Sequence, residues 1–253
     1  MIEVKNVKKS FNGVEVLKGI STVFETGKTN LIIGQSGSGK TVLLKTLLGI
    51  HKPDEGTVEY DGRRYWLMTE DEKRELRTEI GMVFQGSALF DSMTVEENVG
   101  FPLRMFSHKN KSEIADRVNI VLKRVNLIEA NHKLPSEISG GMQKRVAIAR
   151  AIVNNPKYLF CDEPNSGLDP NTSILIDNLI REITEEYEIT TVINTHDMNS
   201  VMEIGENIIF LKNGFLEWQG TKEEIFRAQN PAVIDFVYSS NLFKKVREAM
   251  LKG

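Results

Sequence analysis

The eight residues Gly34-Gln35-Ser36-Gly37-Ser38-Gly39-Lys40-Thr41 confine this chain to a narrow set of folds. They have the form G-x-x-x-x-G-K-[ST], and their flanks fit that form. Thr29 to Ile33 is a short apolar run between Gly27 and Gly34, which reads as a buried strand. Val42 to Leu48 has a helical pattern that stops at Gly49. A glycine-rich loop joining a strand to a helix is a phosphate cradle. Its glycines let successive backbone N–H groups turn inward, and the helix start adds partial positive charge. Lys40 is placed to reach β- and γ-phosphates, and the Thr41 hydroxyl to ligate Mg²⁺.

The rest of the chain must supply a core and a partner for that loop. With 253 residues it has room for one or two domains. The formal net charge of −3 gives no field of one sign that would point to nucleic acid. The single cysteine, Cys161, excludes an internal disulfide framework and fits a reducing compartment. Met1 to Ser10 lacks the apolar core of a signal peptide, and no apolar run approaches a membrane span. Work at a membrane is therefore expected to go through a partner.

The N-terminal part reads as antiparallel β beside an α/β core. Ile2 to Val7 alternates, Asn12-Gly13 is a turn, and Val14 to Leu17 and Ile20 to Phe24 read as two further strands. Phe11 falls in a loop, as a core residue or as an exposed ring able to stack on a flat base. Thr57 to Tyr60 and the Asp61-Gly62 turn form a hairpin, and Thr69 with Glu72 forms a capping box. Ile80 to Phe84 is a buried strand with Gln85 at its end, where sites gather in open α/β sheets.

Residues 94 to 135 read as mostly helical. A capping box starts at Thr94, and the Lys111 to Val125 segment carries Ile114, Val118, Val121, Leu122 and Val125 at helical spacing. This is a helical subdomain of about residues 90–150 inserted in the core. Ser139-Gly140-Gly141 then opens another helix, as a plain Ser cap with close-packing glycines or as an anion site. Tyr158 to Glu163 is an apolar strand ending in two acids. Asp162 suits Mg²⁺, and Glu163, on the opposite face of the strand, suits polarisation of an attacking water. A tight loop through Asp169 leads to a helix from Thr172 to Tyr187. The strand Thr190 to Asn194 ends at His196, and a hairpin turns about Lys212-Asn213-Gly214. From residue 222 a helical tail runs to residue 253. It breaks at Pro231, and its last segment repeats Leu242, Val246 and Met250 at helical spacing.

Taken together and in this order, the phosphate loop, Gln85, Ser139-Gly140-Gly141, the Asp162-Glu163 strand, Ser166-Gly167-Leu168-Asp169 and His196 resemble an ABC-transporter ATPase subunit over residues 2 to 221. The resemblance implies a P-loop nucleotide-binding domain of α/β class with an antiparallel β part and a helical arm. It implies ATP and Mg²⁺, and a head-to-tail dimer with a second copy. In that dimer Ser139, Gly140 and Gly141 of one chain close on the ATP held by Gly34, Gln35, Ser36, Gly37, Ser38, Gly39, Lys40 and Thr41 of the other. By the same resemblance Phe11 stacks on adenine, Gln85 senses Mg²⁺ and the attacking water, Asp169 acts across the dimer, and His196 contacts the γ-phosphate. Glu163, His196, Gln85 and Lys40 are the expected catalytic set, and Thr41, Gln85 and Asp162 the expected metal set. Two positions depart from the usual motifs, Met142 for Gln and Asn165 for Thr or Ser. Neither removes a charge or a backbone donor, so activity is expected to survive.

Phe90 to Arg104 and Ser139 to Val146 look most like the ATPases of Mla- or Mce-type lipid transport systems. That likeness implies a polytopic permease docked on the region after Gln85, a lipid-binding MCE-type subunit, and a place on the cytoplasmic face of the cell membrane. Phe90, Met93, Phe101 and Leu103 are expected to line the docking groove or to fill the helical core. ATPases of amino-acid import, lipoprotein release or cell division share the motif set, because cargo is chosen by the membrane subunits. A soluble ABC ATPase acting on ribosomes or nucleic acid would usually carry a coiled-coil insertion or a second motif set, and neither is present.

Overall fold

Three two-residue turns do much of the local folding. Asn12-Gly13, Asp61-Gly62 and Asn213-Gly214 all have both residues at positive φ, between 47° and 85°. Such turns match the twist of antiparallel strands, and Asn or Asp followed by Gly enters them at least cost. The structure, a computed structural model, describes residues 1–238. The expected stripe of Leu242, Val246 and Met250 lies outside the described residues.

The chain opens with β1 (Ile2–Phe11), β2 (Val14–Phe24), β3 (Thr29–Ile33), α1 (Lys40–Leu47), β4 (Glu55–Tyr60) and β5 (Arg63–Arg64). It continues with α2 (Glu70–Thr78), β6 (Ile80–Val83), α3 (Val95–Phe106), α4 (Lys111–Arg124) and α5 (Gly140–Ile152). Next come β7 (Tyr158–Asp162), α6 (Pro170–Glu186) and β8 (Thr190–Asn194). It closes with α7 (Met198–Ile204), β9 (Asn207–Lys212), β10 (Phe215–Gly220), α8 (Lys222–Ile225) and α9 (Pro231–Val237). Two compact units result. One holds Met1–Glu25, Thr29–Leu67 and the described part of Asn194–Gly253; the other holds Thr26–Lys28 and Met68–Ile193.

In the first unit an antiparallel sheet runs in the order β2-β1-β4-β5. β3 pairs parallel with β9, and β9 antiparallel with β10. The two strands expected between Val14 and Phe24 are one, because Gly19 at φ +86° carries the chain through a bulge without ending it. A side chain there would meet Asn6 Oδ1 at 2.9 Å. Buried amides tie the parallel and antiparallel parts. Asn207 Nδ2 donates to Val23 O (2.9 Å) and Asn30 Oδ1 (2.8 Å), and Gln219 Nε2 donates to Asn207 Oδ1 (3.0 Å). Pro231, expected as a break, opens α9 at its first turn, where the missing N–H costs nothing.

In the second unit β6 and β7 are parallel, with Val83 opposite Cys161, and β8 follows β7 in the sheet order. The capping boxes at Thr69 and Thr94 form, and Asn110 with Glu113 makes a further one. Gly100 lets α3 approach α4, since a Cβ there would lie 3.2 Å from Ile114 Cγ2. β6 ends at Val83, so Phe84 lies off the strand and is exposed. The helix expected from Thr172 begins at Pro170, because Asp169 caps it and a proline suits the first turn.

Cys161 is the fourth of the five residues of β7 and has no exposed surface, and burial pushes its thiol well above the usual range. The folded chain is therefore expected to resist an aromatic disulfide reagent at pH 8 and to react stoichiometrically once unfolded in guanidinium. Rapid labelling of the native chain would contradict the buried position. Among the described residues no helix is long and apolar enough to cross a membrane.

Candidate functional site

The phosphate loop lies in the first unit, where β3 ends and α1 begins. Three of its glycines are at positive φ: Gly34 (149°), Gly37 (78°) and Gly39 (106°). A side chain on Gly34 would strike Leu211 O at 2.2 Å, so the loop closes against β9 only with glycine there. The β9–β10 turn holds the loop, with Gly214 N donating to Ser38 O at 3.2 Å. Lys40 curls over the loop, its Nζ donating to Gly34 O (2.8 Å) and Gln35 O (3.1 Å).

Two observations fit this loop to phosphate. Gly39, the N-cap residue of α1, supplies no side-chain cap, so the first-turn N–H donors are not taken by a capping side chain. Ser38 Oγ is buried without a hydrogen-bond partner, and a phosphate oxygen would supply one. Thr41 is exposed on the helix start, with Asn194 Nδ2 3.4 Å from its Oγ1. A hydroxyl so placed is a hard oxygen donor of the kind Mg²⁺ prefers.

Phe11 is 38% exposed at the end of β1, which removes the core alternative. Its ring meets His51 edge-on at 5.1 Å, and Lys9 Nζ lies 5.4 Å from its centroid. His196 is exposed two residues past the end of β8, and Asp197 beside it caps α7.

In the second unit Asp162 is the last residue of β7, and Glu163 is not on the strand as expected. Glu163 takes φ +46°, a left-handed conformation that costs a non-glycine residue about 1–2 kcal/mol. The carboxylate is thus turned out of the strand's alternation by the backbone. Gln85 Nε2 lies 3.3 Å from Glu163 Oε2 and 3.3 Å from Ser166 Oγ. Asn165, the departure noted in the sequence, donates from Nδ2 to Asp177 Oδ1 at 2.7 Å. The amide N–H of the departing residue is thus taken up by a side chain of α6.

Ser139, Gly140, Gly141, Gly167, Leu168 and Asp169 line one open hollow of about 450 Å³. Ser139 Oγ accepts from Met142 N (3.3 Å), a plain helix cap. Gly141 is needed for packing, since a Cβ there would lie 2.9 Å from Thr172 Cγ2. Asp169 caps α6, accepting from Thr172 N (3.0 Å) and Oγ1 (2.5 Å). The Thr172 hydroxyl, then the Thr172 N–H, hold its carboxyl below the usual carboxylate range.

A second hollow of about 420 Å³ is lined by residues that include Phe84, Phe90, Phe101, Pro102, Phe106 and Arg150. Phe90 is 41% exposed and packs against Phe101, the ring centroids 4.8 Å apart and the planes tilted by 53°. Leu103 is buried and Met93 does not line the hollow, so of the four expected groove residues only Phe90 and Phe101 belong to it. Phe84 and Phe106 also line it and were not among the expected groove residues; Phe84 had been expected in the buried strand. Two cations on α5, Lys144 and Arg150, were missed as well. Lys144 Nζ donates to Gln85 O, and Arg150 donates to Ala88 O and Ser87 O, both at 2.7 Å. Both lie on a helix whose residues 146–152 are all buried, so no single apolar face in the sequence marked them.

Residues 17–166 match the family described as ABC transporter. The methionine import ATP-binding protein MetN of Clostridioides difficile is 39% identical over 226 residues, covering 89% of this chain and 70% of that protein. The chloroplastic protein trigalactosyldiacylglycerol 3 of Arabidopsis thaliana is 37% identical over 257 residues, covering 95% of this chain and 74% of that one. Among solved structures, the dimeric post-hydrolysis state of the ATP-binding cassette MJ0796 bound to ADP and Pi is 36% identical with a TM-score of 0.79, covering 88% of this chain and 99% of that one. Sequence, fold and a phosphate loop at the head of α1 agree: the chain belongs to the ABC transporter family, as an ATP-binding and ATP-hydrolysing subunit.

Proposed function

We propose that two copies of this chain close head to tail on two ATP, and that opening after hydrolysis drives a membrane permease that moves phospholipid. The observation that carries the hydrolytic part is the Gln85 amide lying against the Glu163 carboxylate, which a strained backbone turns away from β7. Glu163 is the base that polarises the attacking water, Gln85 orients it, and His196 contacts the γ-phosphate. Lys40, with Gly34 to Gly39, holds the phosphates, and Phe11 offers its exposed face to the adenine. Thr41, Asp162 and Gln85 are the residues that would hold Mg²⁺, directly or through water. Bound there, the metal neutralises charge on the phosphates. Ser139, Gly140, Gly141 and Asp169 serve the nucleotide of the second copy.

The aromatic hollow around Phe90 supports a docking site for a permease helix, since exposed aromatics beside a polar rim mark interaction surfaces. The chain would then work on the cytoplasmic face of the membrane. For the cargo, the likeness of Phe90 to Arg104 and Ser139 to Val146 to Mla- and Mce-type ATPases favours lipid, and so does a relative named for a glycolipid. A relative named for methionine import favours the second reading, an amino-acid importer.

Purification of the tagged chain from native membranes tests both. A polytopic permease recovered with an MCE-type subunit and phospholipid supports the first reading. A permease with a soluble amino-acid-binding protein would replace the cargo. Phe90→Asp is expected to lose the permease in the same experiment while still binding ATP. Full recovery with that variant would remove the aromatic hollow from the interface.

A further inference from the structure

Lys144 and Arg150 lie on α5, six positions apart, and both are buried, at 5% and 9% exposure. Among the described residues neither forms an ion pair. Burying a cation without a counter-charge is costly, and the cost is tolerated only where good acceptors replace water. Here the acceptors are three main-chain carbonyls of one short segment: Gln85 O for Lys144, and Ser87 O and Ala88 O for Arg150. That segment needs bracing. Ser87 and Ala88 both take left-handed backbone conformations, at φ 61° and 48°. The same segment carries the Gln85 side chain, whose amide lies 3.3 Å from both Glu163 Oε2 and Ser166 Oγ. The residues therefore form a continuous series from α5 through the Gln85 main chain and side chain to the Glu163 carboxylate.

We propose that Lys144 and Arg150 are positioning residues for hydrolysis: they brace the main chain from Gln85 to Ala88, and so set the carboxylate of Glu163 from the helix that begins after Ser139. The proposal rests on the roles given above to Gln85 and Glu163. It makes α5 more than the carrier of Ser139-Gly140-Gly141. A shift of that helix, as when its N-terminus meets a nucleotide, would reach the water-polarising group through two side chains.

The test uses the full chain, with kcat counted per folded nucleotide-binding site, KM, equilibrium ATP affinity and melting temperature. Lys144→Met keeps the side chain's length and removes its donors. It is expected to lower kcat roughly tenfold or more, the scale of a misplaced catalytic group, and to leave KM and ATP affinity within about twofold. Lys144→Arg, which can still donate to Gln85 O, is expected to restore most of the rate. Combined with Gln85→Ala, Lys144→Met is expected to cause no further loss, because both act through one group. A Gln85→Ala variant with the parent kcat would overturn the underlying role of Gln85. If Gln85→Ala is slow but Lys144→Met has the parent kcat, or if their losses multiply in the double variant, the brace itself is overturned. Should Lys144→Met fail to fold, Arg150→Lys carries the test, because it keeps the charge and gives up one of two carbonyl bonds. A lowered kcat at unchanged KM supports the brace, and a changed melting temperature with the parent kcat overturns it.

Discussion

Glu163→Gln is expected to bind ATP as tightly as the parent chain and to hydrolyse it roughly 10²–10⁴-fold more slowly, the range of a lost general base. The substitution keeps the side chain's size and its ability to meet the Gln85 amide, and it removes only the charge. The left-handed backbone at position 163 is retained, so its strain is the same in both chains. What is lost is the acceptor that draws a proton from water. Because nucleotide stays bound and uncleaved, the variant is also expected to accumulate as a dimer in the presence of Mg-ATP. Initial-rate hydrolysis, equilibrium binding of a fluorescent ATP analogue and size-exclusion chromatography with and without nucleotide check the three parts. Parent-like hydrolysis would remove Glu163 from the role of base.

Lys40→Ala is expected to fail one step earlier. In the structure its ammonium bridges two carbonyls of the phosphate loop, Gly34 O and Gln35 O, at 2.8 and 3.1 Å. It thereby holds a cation over the cradle. A charge-assisted contact of this kind is worth about 1.5–3 kcal/mol, so ATP affinity should fall roughly tenfold to a hundredfold. The alanine chain also removes the Lys40 donor from both carbonyls, leaving Gln35 O its bond from Ser38 N, which loosens the loop. Titration calorimetry with ATP measures the loss directly. If affinity is unchanged and only the melting temperature falls, Lys40 is a brace for the loop and not a phosphate ligand. The two variants separate cleanly, since one binds without turnover and the other loses binding.

Much of this architecture could be read from residue types with strict conformational demands. Asn-Gly and Asp-Gly pairs announced the hairpins, Thr and Glu three apart announced helix starts, and the phosphate loop announced the strand and helix that flank it. Where reading failed, a local signal had a second meaning. Gly19 looked like an end and is a bulge; Pro231 looked like a break and is a first turn. Glu163 continued the strand by alternation, but alternation says nothing of a backbone reversal at the next residue. The roles of Lys144 and Arg150 were invisible for a different reason. Their partners are main-chain carbonyls about sixty positions away, and no side-chain pattern records a carbonyl.

Cys161 has a practical corollary. The one thiol of the chain is sealed in β7, so a cysteine introduced on the surface would be the sole reactive sulfur. Spectroscopic probes can then be attached one position at a time to the chain as it stands, with no cysteine-free background to build and refold. Pairs of spin labels or fluorophores on two copies would follow opening and closing as a distance, turnover by turnover.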